Sequence, residues 1–273
     1  MKKLLITDLD DTLYSWINFF IPAFYCMVDE ISNISGIDKE TLLHEYKAYH
    51  QHVGSVEYPF ATLHLPSIKI KYEGKTETEI KNILNPAFHK FNSVRKHELK
   101  LYEDVYSTLD CLYNKNIIII GYTESNLENG YYRLKKLSID KYFKHVYVGG
   151  GSYLPFSDSN KIIKIAEKKP NAEVLKQICR REDIATEEAL YVGDSLTKDM
   201  LMAIRAGITA VWINRKNSNI DFYNKLVKIS SWTDDDFNRE NNLKQQWINE
   251  NMSPDYEISS FSQILNIIFR DIR

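Results

Sequence analysis

Three carboxylates follow the first apolar run of the chain. In the stretch LLITDLDDTLYSW, which begins at Leu4, the acidic residues are Asp8, Asp10 and Asp11. Mutual repulsion makes such a cluster costly unless a cation compensates the charge or the loop is merely solvated. If these side chains share one site, that site needs a positive partner.

Short apolar runs rich in β-branched residues alternate with helical patterns along much of the chain. The runs that predict strands cover residues 4–7, 116–123, 145–149, 189–193 and 210–214. Continuous apolar runs of this kind are typical of parallel strands buried on both faces. The alternation predicts an α/β fold with a doubly wound, Rossmann-like parallel sheet.

Polar residues stand at the ends of three of these predicted strands. They are Asp8, Thr123 and Asp194, and Asp10 and Asp199 lie close by in sequence. Ligands of open α/β sheets bind outside the carboxyl ends of the strands, so these distant segments are expected to converge. The resulting site is strongly acidic, and Mg²⁺ prefers carboxylate oxygens and phosphate. The sequence therefore predicts a Mg²⁺ site.

Two segments interrupt the alternation. Residues 15–100 contain helical patterns and no convincing strand, which predicts an inserted α-helical cap domain. Residues 1–14 and 101–273 then form the α/β core, with a surface insertion at about 216–252 that is rich in Asn, Asp and Lys. The histidines of the cap, including those of HQH at residues 50–52, are interpreted as exposed and are given no ligand role.

Composition limits the classes of partner. The chain has 273 residues, a formal net charge of -2 and a pI near 6.4, so it offers no basic field for nucleic acid. Its three cysteines are widely spaced and form no C-x-x-C pair, which indicates a reducing compartment. The run that precedes Asp8 is too short for a signal peptide, and no run is long enough for a membrane span. We therefore expect a cytoplasmic protein with a small-molecule substrate.

The motifs together resemble a known family. They are DLDDT at residues 8–12, the strand-end Thr123 of IIIIGYTES, Lys169 of KKPNAEVL and GDSLTKDM at residues 193–200. In order and position they resemble the motifs of the haloacid dehalogenase-like hydrolase superfamily. The resemblance covers essentially the whole chain except the two insertions, and the cap resembles the mobile cap of that family.

The resemblance implies a Mg²⁺-dependent phosphatase that hydrolyses a small phosphorylated metabolite through an aspartyl-phosphate. Asp8 would be the nucleophile and a metal ligand. Asp10 would be the general acid and base and would reach Mg²⁺ through its backbone carbonyl. Asp194 would bind Mg²⁺ directly, and Asp199 would act through water or by pairing with the site lysine.

The remaining implied roles concern the phosphoryl group, which Thr123, Glu124 and Lys169 would contact. Thr123 and Lys169 would also be catalytic, the lysine by neutralising charge on the nucleophile. Lys168 is the alternative for the site lysine, because the stretch before it is unusually long. The sequence has TES where an Asn after the threonine is common in the family, so the groups of Glu124 and Ser125 that face the phosphate stay open.

Two other functions stay open at this point. A phosphomutase of the same family would share Asp8 and Asp10 but return the phosphoryl group to a sugar. A non-catalytic binding or regulatory protein could use the same scaffold, since fold alone does not fix function.

Overall fold

A computed structural model describes residues 2–58, 60–150, 159–215 and 219–269. The strands are β1 Leu4–Thr7, β2 Ile118–Asn126, β3 His145–Gly149, β4 Ile162–Lys164, β5 Ala189–Gly193, β6 Thr209–Ile213 and β7 Tyr256–Ile258. The α-helices are α1 Trp16–Ser35, α2 Lys39–Val53, α3 Pro66–Lys71, α4 Glu77–Ile83, α5 Asn85–Glu98, α6 Val105–Asn114, α7 Leu127–Lys136, α8 Ala172–Glu182, α9 Leu201–Ala206, α10 Ile220–Ile229, α11 Asp234–Asn249 and α12 Ile264–Ile268.

The strands form one parallel sheet in the order β4-β3-β2-β1-β5-β6-β7. The chain builds outward from β1 to β4 and then resumes at β5 on the other side of β1. The strand order therefore reverses between β1 and β5, which is where ligands bind in sheets of this kind. The predicted doubly wound α/β fold is confirmed.

The strand register brings the site segments to one level. Thr7, the last residue of β1, lies opposite Gly121 of β2 and Val192 of β5. The residues that follow on these three central strands must therefore emerge side by side at the carboxyl edge. Since β1 is fully buried between its neighbours, its position is fixed by packing on both faces.

Two details of the sheet differ from the sequence prediction. The second strand does not end at Thr123 but continues to Asn126, with a register irregularity between Tyr122 and Asn126 where it pairs with β3. The two edge strands, β4 and β7, are absent from the predicted runs, because a strand of three residues beside polar stretches carries almost no periodic signal.

The described residues divide into two compact units. The sheet unit lies within Met1–Ser15, Lys100–Lys216 and Glu240–Arg273, and the helical unit lies within Trp16–Leu99 and Asn217–Arg239. Between residues 16 and 99 the described part of the helical unit contains no strand.

The segment predicted as a surface insertion of the core, residues 216–252, is divided between the two units. Residues 217–239 group with the helical unit, and α11 continues past residue 239 into the sheet unit. Contacts within the helical unit explain this, because the Tyr25 hydroxyl donates to the carbonyl of Lys225 and the Gln51 amide donates to the carbonyl of Trp232. Residues 216–218 lie outside the described residues.

His50, predicted to be exposed, is instead buried where α2 packs on α10. Its Nδ1 lies 2.8 Å from the carbonyl oxygen of Ile229, so Nδ1 carries the proton. Its Nε2 is buried without a hydrogen-bond partner among the described residues, and the ring packs near Phe24 and Tyr46. The buried, neutral imidazole therefore joins residues of the two separate segments that build the helical unit.

None of the helices in the described part of the chain is long and apolar enough to cross a membrane.

We expect the helical unit to lose stability as the pH falls below the ordinary histidine pKa of 6.5. Burial lowers the pKa of His50 in the folded state, so the unfolded chain takes up the proton first and protonation favours unfolding. The loss of stability begins near pH 6.5 and levels off below the folded-state pKa of His50. Each pH unit by which that pKa lies below 6.5 lowers the free energy of unfolding by about 1.4 kcal/mol. Urea unfolding followed by circular dichroism across this pH range measures it.

The matched variants are His50→Asn, which keeps a donor near Nδ1 without titrating, and His44→Asn on an exposed position of the same helix. The first should flatten the pH dependence and the second should leave it unchanged. A wild-type slope in His50→Asn would exclude this histidine as its source.

Candidate active site

The loop after β1 is a tight turn that separates its three carboxylates. Asp8 continues the strand, with its amide donating to the carbonyl of Val192 at 2.9 Å. The amide of Leu13 donates to the carbonyl of Leu9, and the amide of Asp11 donates to the carbonyl of Tyr14. Asp11 adopts a left-handed conformation at φ 57°, which Asp tolerates better than most residues. The turn, rather than an extended segment, gives neighbouring carboxylates different directions.

Lys169 is the centre of the first cluster. Its buried ammonium donates to Asp8 Oδ1 at 2.5 Å, to Asp199 Oδ1 at 2.8 Å and to the Tyr191 hydroxyl at 2.9 Å. The neighbouring Lys168 is exposed. Lys169, the lysine that the sequence favoured over its alternative Lys168, is thus the one that lies among the carboxylates.

Burial and neighbouring charges together set the pKa values of Asp8 and Lys169. Burial raises the pKa of Asp8 to about 7, with the Asp199 carboxylate adding to the rise and the Lys169 ammonium opposing it. Burial alone would lower the pKa of Lys169, but the carboxylates of Asp199 and Asp8 outweigh it and hold that pKa well above its ordinary value. Lys169 therefore remains a cation in this site.

The segment after β5 supplies two more carboxylates. Asp194 follows the strand directly, and its carbonyl accepts a hydrogen bond from the Trp212 indole at 2.8 Å. Asp199 lies on the helical turn Leu196–Met200, where its Oδ2 accepts from the amide of Ser195 at 3.1 Å. This turn brings the Asp199 side chain back beside the strand end.

One carboxylate oxygen from each of Asp8, Asp194 and Asp199 can be chosen so that the three atoms lie within 4.8 Å of one another. Three carboxylates against the one ammonium of Lys169 leave an excess of negative charge, and all the donor atoms are hard oxygens. Such a donor set fits Mg²⁺. Both Asp199 oxygens already accept hydrogen bonds, whereas Asp194 is exposed.

Asp10 is the centre of a second cluster, which includes Arg133, Ser125 and Thr123. Its Oδ1 accepts from Arg133 at 2.7 Å, and its Oδ2 accepts from the Ser125 hydroxyl at 2.7 Å. The Thr123 hydroxyl lies 3.5 Å from the same Oδ2 and accepts from the amide of Ser125 at 3.0 Å. Burial and the Asp10 carboxylate raise the pKa of the Tyr14 phenol well above its ordinary value, so that phenol stays neutral.

Glu124 connects the second strand to the lysine segment. Its Oε1 accepts from the backbone amide of Lys169 at 3.1 Å, and its Oε2 accepts from the Lys198 ammonium at 2.8 Å. Both carboxylate oxygens are therefore occupied by protein donors. The side chain predicted to bind substrate here holds the backbone on which Lys169 stands.

Three side chains of these clusters were not predicted from the sequence, namely Arg133, Tyr191 and Lys198. The role of Ser125 was left open, and its hydroxyl contacts Asp10. Tyr191 looked like one more apolar residue of a buried strand. Arg133 carries a weak signal, because it falls at helical spacing from the buried Gly130 on α7.

The sequence profile of the family described as haloacid dehalogenase-like hydrolase matches residues 5–213. Because this match covers most of the chain, the protein belongs to that family, and the resemblance drawn from the motifs is confirmed. The protein is a hydrolase of this family.

Individual relatives share less than a third of their residues with this chain. The chain is 27% identical over 219 residues to glyceraldehyde 3-phosphate phosphatase of Methanopyrus kandleri, a match that covers 79% of this chain and 85% of that protein. The 2-haloacid dehalogenase of Pseudomonas syringae has a TM-score of 0.62 at 20% identity, over 99% of each chain. A putative β-phosphoglucomutase of Thermotoga maritima has a TM-score of 0.54 at 17% identity, covering 99% of this chain and 100% of that one. The two structural similarities show a shared fold.

Gly193→Ala should destabilise the protein and disturb Lys169. A Cβ at Gly193 would lie 2.5 Å from Asp199 Oδ2, so the carboxylate that holds the ammonium must move. Overpacking of this kind typically costs about 1–3 kcal/mol, which denaturant unfolding measures. Gly150→Ala is the control, because a Cβ there meets nothing within 4 Å. Equal stability of the two variants would contradict the close packing at Gly193.

Proposed function

We propose that this protein is a Mg²⁺-dependent phosphatase that hydrolyses a small phosphorylated metabolite through an aspartyl-phosphate on Asp8. The observation that carries the proposal is the buried ammonium of Lys169 between Asp8 and Asp199. A lysine so placed keeps one oxygen of Asp8 in a fixed direction and offsets the negative charge that a phosphate ester adds. Family membership agrees with this chemistry.

In the first step an Asp8 oxygen attacks phosphorus, and the bond from phosphorus to the ester oxygen breaks. The leaving oxygen takes a proton from the carboxylic acid form of Asp10, which becomes a carboxylate. Lys169 and the Thr123 hydroxyl bind phosphoryl oxygens during the transfer, where preorganised donors are most effective.

In the second step water attacks the phosphorus of the aspartyl-phosphate. Asp10 accepts the proton of that water, and the Asp8 carboxylate leaves as inorganic phosphate forms. Asp10 thus returns to its acid form, and one turnover consumes one water.

Asp8, Asp194 and the backbone carbonyl of Asp10 would hold Mg²⁺, with Asp199 acting through Lys169 or water. The ion would supply charge neutralisation for the carboxylates and the incoming phosphate. The Asp199 oxygens are engaged by Lys169, Tyr191 and Ser195, which supports the indirect role.

The helical unit is proposed to act as a cap that supplies residues for substrate choice. The relative from Methanopyrus kandleri is named for glyceraldehyde 3-phosphate, so triose phosphates are the first substrates to test. Release of an isomerised sugar phosphate in place of inorganic phosphate would identify a phosphomutase. Mg²⁺ binding with no turnover of any phosphate ester would identify a binding protein.

Asp8→Asn should abolish release of inorganic phosphate from triose phosphates and from p-nitrophenyl phosphate in the presence of Mg²⁺. The amide is a poor nucleophile, so the loss should be at least about 10³-fold even though the fold is kept. Asp11→Asn is the matched control, since Asn also tolerates the left-handed conformation seen there. Activity retained by Asp8→Asn would overturn the mechanism.

Asp194→Asn should weaken Mg²⁺ binding measured by calorimetry without substrate. Removing one charged ligand from a site of three neighbouring carboxylates should lower the affinity by about 10-fold or more. Asp183→Asn, at the left-handed C-terminal cap of α8, provides a carboxylate control away from the cluster. Unchanged Mg²⁺ affinity in Asp194→Asn would mean that the ion binds elsewhere.

A further inference from the structure

Arg133 places a buried guanidinium beside the carboxylate that is proposed to move protons. Its side chain is 4% exposed, although it belongs to a helix whose last turn is otherwise rich in lysine. Burial of an arginine is costly unless its charge is compensated and its donors are used. The reason for its position must therefore lie in the groups that it contacts.

Those groups form one connected set around Asp10. Arg133 Nη1 donates to Asp10 Oδ1 at 2.7 Å and to the Ser125 hydroxyl oxygen at 3.2 Å. The Ser125 hydroxyl in turn donates to Asp10 Oδ2 at 2.7 Å. One guanidinium thus anchors one carboxylate oxygen directly and the other through a serine.

Two anchors on one carboxyl group fix both its position and the orientation of its plane. Asp10 stands on the tight turn after β1, and its side chain would otherwise choose among several rotamers. A general acid must meet the leaving oxygen within hydrogen-bond reach, and an error of about 1 Å can cost on the order of 10²-fold.

Stability alone does not account for this arrangement. A buried ion pair is often no more stabilising than apolar residues of similar size. The pair also lies at the carboxyl edge of the central strands, where β1 and β2 deliver Asp8 and Thr123.

We propose that Arg133 is a positioning residue for Asp10 and that Ser125 completes the anchor. This inference rests on the proposed phosphatase function and deepens it. Arg133 acts through Asp10, the carboxyl group that it contacts directly and through Ser125. Its loss therefore impairs proton transfer to the leaving oxygen, and substrates that need little proton donation are affected least.

The test measures the effect of Arg133→Met on two phosphate esters, and it repeats the substitution in the Asp10→Asn background. In Arg133→Met, kcat/KM for an alkyl phosphate, such as glycerol phosphate, should fall by about 10²-fold, because alkoxide departure needs the acid. For p-nitrophenyl phosphate, whose leaving group departs without a proton, the fall should be under about 10-fold. In the Asp10→Asn background the same substitution should change kcat/KM by less than about 3-fold, since the partner is already lost.

Two further variants keep the test decisive if Arg133→Met does not fold. Arg133→Lys should restore part of the alkyl phosphate activity, because a lysine can replace one of the anchoring bonds. Ser125→Ala should show the same preference for p-nitrophenyl phosphate to a smaller degree. Arg180→Met, which removes an exposed arginine paired with Glu173 on α8, is the control and should leave both esters unchanged.

The outcomes separate this inference from the proposed function. If the wild-type enzyme hydrolyses both esters but Arg133→Met and Arg133→Lys slow them equally, the positioning role is overturned. A full effect of Arg133→Met in the Asp10→Asn background overturns it as well. If the wild-type enzyme hydrolyses no phosphate ester with Mg²⁺, the proposed function itself has failed.

Discussion

The ammonium of Lys169 is the interaction on which the site depends. This ammonium contacts both Asp8 and Asp199. Without it, these two buried carboxylates would repel each other with no cation between them. The charge balance works in both directions, because the same carboxylates keep the lysine protonated against the cost of burial. A substitution that moves any member of this trio changes the electrostatics of all three.

The parallel sheet supplies the precision that this charge cluster needs. β1 lies between β2 and β5 in a register that sets its last residue, Thr7, level with Gly121 of β2 and Val192 of β5. Strands buried on both faces are held by apolar packing that tolerates little displacement. The polar residues that follow these strands are therefore held in place as well. A Cβ at Gly193 would lie 2.5 Å from Asp199 Oδ2, so little space remains there.

The carboxylates of the first loop serve two separate electrostatic environments. Asp8 faces Lys169, whereas Asp10 faces Arg133 and Ser125. Neighbouring residues in an acidic stretch can therefore have different partners and different chemistry. The chain leaves the extended conformation after Asp8 and enters the turn closed by the hydrogen bond from Leu13 to Leu9, so Asp10 no longer lies on the strand that carries Asp8.

The sequence by itself determined the α/β class, most of the strands and the convergence of Asp8, Thr123 and Asp194, because parallel strands carry strong apolar patterns and end at a common edge. Only the tertiary structure decided that Lys169 rather than Lys168 enters the cluster, since adjacent lysines look alike in a charged stretch. It also decided that Glu124 holds backbone and a second lysine, that Arg133 faces Asp10, and that residues 217–239 group with the helical unit. These contacts join residues far apart in the chain, and no local pattern encodes which of several similar side chains will meet.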